Sequence, residues 1–250
     1  MTPRFLRFAS SLTLLGWMIS NLAIADVTPD VKPFVELFES RYRAAHTLEA
    51  TFLERYTEGG RGVRVESGIA YFRRPGKMRW EYQAPENNLF LVDGKTAWFY
   101  VPADHTATRI PAKASTDWRT PLALLAGEMK VSRVCSHVQA APAEKMESPG
   151  DIMLNCKLRG DASQSQNPRT SATRSLGEDA AEAVYFEIAK KTGELVVIKV
   201  SDPGGVGIEF HFTGWRVDPP VDDSFFHFRA LPGVAIVNGE LPAPNSCARP

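Results

Sequence analysis

The segment "NNLFLVDGKTAWFY", Asn87 to Tyr100, has an apolar run on each side of Asp93-Gly94. Asp-Gly is a pair favoured in two-residue hairpin turns, so the segment predicts an antiparallel hairpin in which Val92 lies opposite Lys95. Successive side chains of a strand point to opposite faces of a sheet. The alternation therefore predicts that one face carries Leu89, Leu91, Trp98 and Tyr100, and that the other carries Phe90, Val92, Ala97 and Phe99.

Both faces of this predicted hairpin are apolar. An antiparallel hairpin with one face in water carries polar residues on that face, so something must cover each face here. One face can pack on helices or on a curled sheet. The other can be core, a partner surface or the lining of a cavity for an apolar ligand, where an acyl chain would contribute about 0.8 kcal/mol per buried methylene. An ordinary packed barrel core explains the pattern as well.

Short extended segments recur along the chain on both sides of this hairpin. Strands are predicted at 48–57, 63–73, 77–83, 87–92, 95–101, 105–110, 131–140, 151–158, 182–190, 194–202, 206–217 and 225–228. An amphipathic helix is predicted over Thr28–Ala45, and "TPLALLAG", Thr120 to Gly127, predicts a short helix. The whole pattern predicts an α+β fold in which two helices lie beside a largely antiparallel sheet or barrel.

The N-terminal segment 1–25 has the pattern of a secretory signal peptide. Arg4 and Arg7 form a short positive region, an apolar run follows, and Ala23-Ile24-Ala25 is a small-residue cleavage pattern. An N-terminal membrane anchor is the alternative. We therefore expect an exported, soluble protein with a single domain over residues 26–237. A polar, mobile loop is expected at 159–179, and a flexible tail at 238–250.

The stretch "RRPGKMRWEYQAP", Arg73 to Pro85, mixes cations with aromatic residues, a pattern also found at surfaces that bind single-stranded nucleic acid. The whole chain has 29 basic and 29 acidic residues, and loss of Arg4 and Arg7 with the signal peptide would leave it slightly acidic. Neither the charge nor export favours nucleic acid as a partner. The alternative is that the aromatic rings of this stretch line a core or a cavity.

The three cysteines, Cys135, Cys156 and Cys247, all lie in the exported part of the chain. Cys135 and Cys156 flank a turn-like segment symmetrically, so they can form a disulfide across a hairpin or remain two buried thiols. Cys247 is left over. The sequence has no Cys-x-x-Cys, no His-Glu-x-x-His and no nucleophile or phosphate-binding motif, so we predict no metal, no cofactor and no catalytic residues.

Several segments together resemble the LolA-type outer-membrane lipoprotein carriers. They are "SGIAYFRRPGKMRWEYQAPENNLFLVDGKTAWFY" at 67–100, "TPLALLAG" at 120–127, "KKTGELVVIKVSDPGGVGIEFHF" at 190–212 and "FFHFRALPGV" at 225–234. The resemblance runs from about Thr28 to Ile236. The chain departs from the family at Glu54, where the family commonly has glutamine, in the 159–179 insertion and in its cysteines.

This resemblance implies an unclosed, strongly curved antiparallel barrel, covered by the N-terminal helix and a short helical lid around an apolar cavity. It implies a periplasmic, non-enzymatic chaperone that receives acylated lipoproteins from an inner-membrane lipoprotein-releasing transporter. The chaperone carries them to an outer-membrane lipoprotein acceptor, and we expect it to be a monomer. The alternatives are a periplasmic lipid- or lipoprotein-sensing adaptor on the same fold and an uncharacterised barrel enzyme.

The resemblance also implies roles for individual residues. Arg74 matches the family arginine that holds the helical lid through its backbone carbonyl groups, and Met78 and Trp80 match apolar positions at the rim and lining of the cavity. The face pattern adds further candidates for the cavity wall: Phe72, Leu89, Leu91, Trp98 and Tyr100.

Overall fold

The computed structural model describes residues 29–112, 123–127, 129–141, 144, 146–159, 183–201 and 205–239. The predicted signal peptide, the predicted helix start at Thr120 and Pro121, and Cys247 lie outside these residues. So do nearly all of the 159–179 loop and most of the tail.

Twelve strands in the described part of the chain form one sheet. They are β1 Thr47–Glu58, β2 Arg61–Arg73, β3 Lys77–Ala84, β4 Leu89–Asp93, β5 Thr96–Val101, β6 Thr106–Pro111, β7 Cys135–Ala140, β8 Asp151–Leu158, β9 Ala183–Ala189, β10 Leu195–Ser201, β11 Val206–Val217 and β12 Ala235–Asn238. The spatial order is β12-β6-β5-β4-β3-β2-β1-β11-β10-β9-β8-β7, so β12 and β7 are the edges and the barrel is not closed. Neighbouring strands are antiparallel, except that β12 pairs with β6 in parallel.

The sheet is strongly curved. Three strand spacings separate β3 from β11, which corresponds to about 14 Å in a flat sheet. The rings of Trp80 on β3 and Phe210 on β11 nevertheless have centroids only 5.3 Å apart. The inner face of the curve therefore encloses the core, as the resemblance to the carrier family implied for an unclosed barrel.

Helices cover one end of the inner face. Helix α1, Lys32–Arg43, has a proline in its first turn and buries Phe38 and Tyr42 in the core. The short helices α2, Ala123–Ala126, and α3, Val131–Val134, follow β6 in the chain, and Leu124 and Leu125 of α2 are buried in the same core. The α+β prediction is therefore confirmed, with the second helix shorter than its pattern indicated among the described residues.

The hairpin around Asp93-Gly94 differs from the prediction. Val92 lies opposite Ala97, not opposite Lys95, so a longer connection replaces the two-residue turn. The carboxylate of Asp93 accepts hydrogen bonds from the backbone N–H groups of Lys95 and Thr96, at 2.9 and 2.8 Å, and this side-chain capping favours the longer loop. Because the register moved by two residues, each side chain keeps its predicted face.

The strand predicted at 131–140 was wrong in part, since residues 131–134 form α3 before β7 begins. The strand predicted at 225–228 was wrong, since its first two residues belong to a 3₁₀ turn, Asp223–Phe226, and no strand follows there. Asp222 caps this turn, since its carboxylate accepts a hydrogen bond from the N–H of Phe225 at 3.2 Å. Strand β12 lies partly in the segment predicted to be a flexible tail, and no strand was predicted there.

Candidate functional site

Arg74 joins the sheet to the end of helix α1. Its guanidinium donates hydrogen bonds to the carbonyl oxygens of Tyr42, Arg43 and Ala45, at 2.9, 2.8 and 2.5 Å. The last carbonyl groups of a helix have no partner within the helix and carry partial negative charge, so one planar cation with several donors suits them. The resemblance assigned Arg74 to the carbonyl groups of a helical lid. In the structure, the carbonyl groups that accept hydrogen bonds from its guanidinium lie at the end of α1 and in the residues that follow it.

The backbone around Arg74 strengthens the same junction. The N–H of Arg74 donates to the carbonyl oxygen of His46 at 3.0 Å, and the N–H of Gly76 donates to that of Ala126 in α2 at 2.8 Å. The turn after β2 therefore contacts both helical elements. Burial lowers the pKa of Arg74, although a guanidinium remains charged at neutral pH.

Asp218 holds the segment that follows α1 from the other side. Its carboxylate accepts hydrogen bonds from the N–H groups of His46 and Thr47, at 2.8 and 2.9 Å. The hydrogen bond from Thr47 is the largest of the influences that lower the pKa of Asp218, and the charge of Arg74 contributes as well. The guanidinium of Arg74 and the carboxylate of Asp218 thus both hold the short connection between α1 and β1.

Other contacts of α1 are made by Glu39, Arg41 and Tyr42. The carboxylate of Glu39 accepts a hydrogen bond from the N–H of Val131 at 2.7 Å, and Arg41 forms an ion pair with Glu194. The hydroxyl of Tyr42 accepts a hydrogen bond from the N–H of Leu195 at 3.1 Å, and burial raises the pKa of this tyrosine to about 12. Sequence patterns did not single out these residues for this role, because their partners lie far along the chain.

Below α1, aromatic side chains fill the inner face of the sheet. Trp80 is fully buried and lies at the centre of this group, with ring centroids 4.8 Å from Phe52, 5.7 Å from Phe72 and 5.3 Å from Phe210. Met78 belongs to the same buried cluster. The structure thus brings the three predicted residues Phe72, Met78 and Trp80 together, and the rings contact one another across the curve.

The structure places the other four predicted wall residues elsewhere. Trp80 pairs with Phe90, which puts Leu89 and Leu91 on the outer face, and the register puts Trp98 and Tyr100 there as well. The prediction that these four share one cavity wall with Trp80 is therefore wrong. The grouping into faces was right, but the choice of the inner face was not.

The C-terminal segment covers this outer face. The ring of Phe228 stacks on Trp98 with centroids 4.6 Å apart, and the guanidinium of Arg79 lies 4.3 Å from the ring centroid of Phe225. Arg79 also donates to the carbonyl oxygen of Phe225 at 2.9 Å. Both faces of the β4–β5 hairpin are therefore covered, as its apolar pattern required, and the outer cover comes from the chain itself.

The inner face becomes polar towards the far end of β1 and β2. Glu54 and Glu66 are directly opposite each other in the pairing of these strands, with 2% and 5% of their surface exposed. The hydroxyl of Tyr82 donates a hydrogen bond to Oε2 of Glu54 at 2.7 Å, and Arg64 forms an ion pair with Glu66. The sequence alone gave Glu54 no role, and marked it only as a position where the chain differs from the lipoprotein carriers that it resembles.

Cys135 and Cys156 form a disulfide between strands β7 and β8. Both side chains are buried. The bond ties the strand that follows α3 to its neighbour at the edge of the sheet.

Over the residues that the structure describes, no group of three or more histidine, cysteine, aspartate or glutamate side chains is arranged to hold a metal ion. In the same residues, no helix has the length and apolar character needed to cross a membrane.

Comparisons with known proteins point to one family. Residues 43–148 match the family model described as outer membrane lipoprotein carrier protein LolA. The outer-membrane lipoprotein carrier protein of Haemophilus influenzae is 35% identical over 126 residues, which are 50% of this chain and 56% of that protein. The carrier protein of Nitrosospira multiformis is 26% identical over 195 residues, which are 78% of this chain and 83% of that protein.

Among solved structures, a LolA superfamily protein from Nitrosomonas europaea is 10% identical, with 81% of this chain and 98% of that chain covered and a TM-score of 0.41. The chain spans about half the length of the first curated relatives that it matches. The family-model match and the sequence relatives confirm the resemblance to the outer-membrane lipoprotein carriers.

Proposed function

From its similarity to the outer-membrane lipoprotein carriers, we propose that this protein binds the acyl chains of lipoproteins on the inner face of its curved sheet. It is a periplasmic chaperone that carries lipoproteins released from the inner membrane to the outer membrane. An inner-membrane releasing transporter loads it, and an outer-membrane acceptor unloads it. The relatives that support this proposal are named as carriers, and we propose no catalytic step for this chain.

The observation that carries the proposal is the aromatic inner face under helix α1. Phe52, Phe72, Trp80 and Phe210 form a wide apolar surface between the walls of an unclosed barrel. Such a surface suits a ligand that is apolar along its length. Aromatic rings can also turn to let a flexible chain lie between them, because each ring moves about a few side-chain torsions.

An acyl chain must displace contacts to enter, because the rings touch one another and α1 is fastened above them. The three hydrogen bonds of Arg74 each contribute roughly 1.5–3 kcal/mol if they behave like other bonds to a charged group. Burial of an acyl chain contributes about 0.8 kcal/mol per methylene, so a chain of about 14 methylenes gains on the order of 10 kcal/mol. The free energy lost with the hydrogen bonds of Arg74 and the free energy gained by burial of the acyl chain are of similar size. Such a balance allows binding to be reversible, as a carrier requires.

Native mass spectrometry of the protein purified from the periplasm tests this proposal. Acyl lipid or acylated lipoprotein that remains bound to the protein would support it. The same preparation should release lipoproteins from inner-membrane vesicles that contain the releasing transporter. A protein that is always empty and that releases no lipoprotein would contradict the proposal.

A further inference from the structure

A cleft of about 370 Å³ lies where the start of β5, the end of β6 and the end of β12 meet. Pockets for small ligands have volumes from about this size upwards. In the pairing of β5 with β6, Arg109 lies opposite Trp98 and shares the outer face with it. Thr96 and Pro111, which also line the cleft, are opposite each other on the same face. The cleft is therefore a different place from the aromatic inner face proposed for acyl chains.

Two cations, Lys95 and Arg109, line this cleft. Both are exposed, and neither forms an ion pair in the part of the chain that the structure describes. The carboxylate of Asp93 is close in the sequence, but it accepts hydrogen bonds from the N–H groups of Lys95 and Thr96 and from the indole of Trp98. The side-chain charges of Lys95 and Arg109 are therefore left for another partner.

The hydrogen-bonding groups available in the cleft are mainly donors. Among the described residues, no acceptor contacts the ammonium group of Lys95, the terminal nitrogens of Arg109 or the amide nitrogen of Asn238. The backbone carbonyl oxygens of Lys95 and Arg109 already accept hydrogen bonds from Ala112 and Gly239, at 2.7 and 3.4 Å. Several donors and two positive charges without matching acceptors favour an anion as the ligand.

Arg109 is held in place on two sides. Its Nε–H donates a hydrogen bond to Oδ1 of Asn238 at 2.7 Å, and its guanidinium lies 5.5 Å from the ring centroid of Trp98. These contacts leave the terminal nitrogens of the guanidinium as a fork of donors. Because the fork is already oriented, less side-chain entropy is lost when it binds an anion.

A phosphate group suits this set of donors better than a carboxylate does. A guanidinium can bind two oxygens of a phosphate group at once. A phosphate diester has two further oxygens, and these can contact the ammonium group of Lys95 and the hydroxyl of Thr96. A carboxylate has only two oxygens in all. Ile110 and Pro111 complete the lining with apolar surface, which can contact the carbon atoms of an ester.

We infer that this cleft binds the phosphate group of a phosphate ester, which is either a phospholipid head group or a soluble ester. Arg109 binds the phosphate group through its fork of donors, and Lys95 adds the second positive charge. The site is additional to the acyl site and does not rest on the proposed function.

NMR titration of the isotope-labelled protein at pH 7 and constant ionic strength tests this inference. The probes are glycerophosphoglycerol, dihexanoylphosphatidylglycerol below its micellar concentration, and acetate. The first two contain the same phosphate diester, without and with acyl chains. We expect both to shift the backbone amide signals of Lys95, Thr96, Asn238 and Gly239 in a saturable way. Acetate should bind about tenfold more weakly, because it makes fewer hydrogen bonds to the two cations.

The two phosphate esters distinguish the source of the ligand. Tighter binding of dihexanoylphosphatidylglycerol than of glycerophosphoglycerol at these amides would assign the cleft to a phospholipid head group. Equal binding would assign it to a soluble ester, since the acyl chains then contribute nothing.

Lys95→Gln and Arg109→Gln each remove one charge from the cleft. Each should weaken the binding of glycerophosphoglycerol about tenfold, as expected for the loss of a hydrogen bond between charged groups. Arg109→Lys keeps the charge without the fork, so it should recover only part of the affinity. Arg61→Gln, which removes an exposed cation from β2, is the matched control and should bind like the wild-type protein.

Three results would overturn the inference. They are acetate binding as tight as that of the esters, unchanged affinity in the protein with both Lys95→Gln and Arg109→Gln, and no saturable shift of the four amides with any probe. The comparison of probes needs no variant, so it decides the matter even if Arg109→Gln disturbs the fold. None of these results would affect the proposed acyl site, because that site lies on the inner face.

Discussion

Arg74 contributes three hydrogen bonds to carbonyl groups at the end of α1 and just after it. The geometry depends on a planar group with several donors, so lysine cannot reproduce it. We propose that these hydrogen bonds stabilise the position of α1 and that their loss makes α1 easier to displace. This makes Arg74 the residue at which stability and the proposed release of cargo are most directly connected.

We predict that Arg74→Leu weakens the attachment of α1 and changes the kinetics of lipoprotein transfer. Loss of the guanidinium should lower the free energy of unfolding by about 4 kcal/mol, near the lower end of what three hydrogen bonds to a charged group contribute, because Arg74 is only partly buried. Hydrogen exchange of the α1 amides should become faster. Arg61→Leu, at an exposed position of β2, is the control and should behave like the wild-type protein. Unaltered transfer kinetics in Arg74→Leu would show that this contact does not govern release.

Glu187 is a fully buried carboxyl group on the outer face of β9. Its Oε1 accepts hydrogen bonds from the N–H groups of Glu147 and Ser148, at 2.7 and 3.2 Å, while no partner for Oε2 is found in the described chain. Burial raises the pKa of Glu187 from its ordinary value of 4.5, the backbone hydrogen bonds oppose this shift, and neighbouring Asp151 adds to it. Binding of a proton to Glu187 is therefore more favourable in the folded protein than it is for an exposed glutamate.

The raised pKa of Glu187 determines how the stability of the folded protein depends on pH. A carboxyl group with a raised pKa stabilises the fold fully below its unfolded value, and this contribution is lost as the pH rises through the folded pKa. We therefore predict that the Glu187→Gln protein gains stability relative to the wild-type protein as the pH rises from about 4.5. The measurement is urea unfolding of both proteins across pH 4–8. A difference in stability that is constant with pH would contradict the raised pKa of Glu187.

At the level of elements, alternation and turn residues were sufficient to locate most strands. The limits predicted for 151–158 and 206–217 are those of β8 and β11. Where the prediction failed, the cause was an interaction distant in sequence or a side chain that caps the backbone. Asp93 lengthened a turn by accepting two backbone hydrogen bonds, and Asp222 capped a 3₁₀ turn where a strand was expected.

For the candidate site, the sequence could not predict which face of the β4–β5 hairpin is the inner one. Alternation grouped Leu89, Leu91, Trp98 and Tyr100 correctly, since the observed pairs keep them together. Both faces of the hairpin are apolar, so the pattern contains no information on which face is inside. The answer depends on Phe228, which covers Trp98 from more than a hundred residues away in the sequence. The polar row at Glu54 and Glu66 was missed because only strand pairing brings these residues together.

The β2–β3 pair contains an irregularity beside Gly68, where the two strands approach closely. The register shifts between Ser67 and Gly68, and a Cβ atom at position 68 would lie 1.9 Å from the carbonyl oxygen of Glu81. We predict that Gly68→Ala lowers the free energy of unfolding by about 3 kcal/mol or more, since backbone atoms must move. Gly62→Ala in the same strand is the control, because a Cβ atom there meets nothing within 4 Å. Urea unfolding of the two variants should differ clearly, and equal stability would show that the β2–β3 pair adapts easily.

In the whole molecule, the curved sheet has two apolar faces, and different segments of the chain cover them. Helix α1 covers the inner surface with the buried side chains of Phe38 and Tyr42 and with polar contacts at Arg74 and Glu39. The C-terminal segment covers the outer surface with aromatic stacking, a cation–π contact and hydrogen bonds. If the proposed ligand binds on the inner surface, it is α1 that has to be displaced.

Two tryptophans on opposite faces of the sheet allow a test of which face binds the ligand. Trp80 is fully buried on the inner face, and Trp98 lies partly exposed under Phe228 on the outer face. If acyl chains bind inside, Trp80→Leu should weaken the binding of a long-chain fatty acid about tenfold, because it removes apolar contact with the chain. Trp98→Leu should leave the dissociation constant within about twofold.

A fatty acid brominated along its chain should quench the fluorescence of Trp80, so the quenching should fall in Trp80→Phe and persist in Trp98→Phe. The opposite result, with binding and quenching dependent on Trp98, would place the ligand on the outer face and require that the C-terminal segment, rather than α1, moves aside.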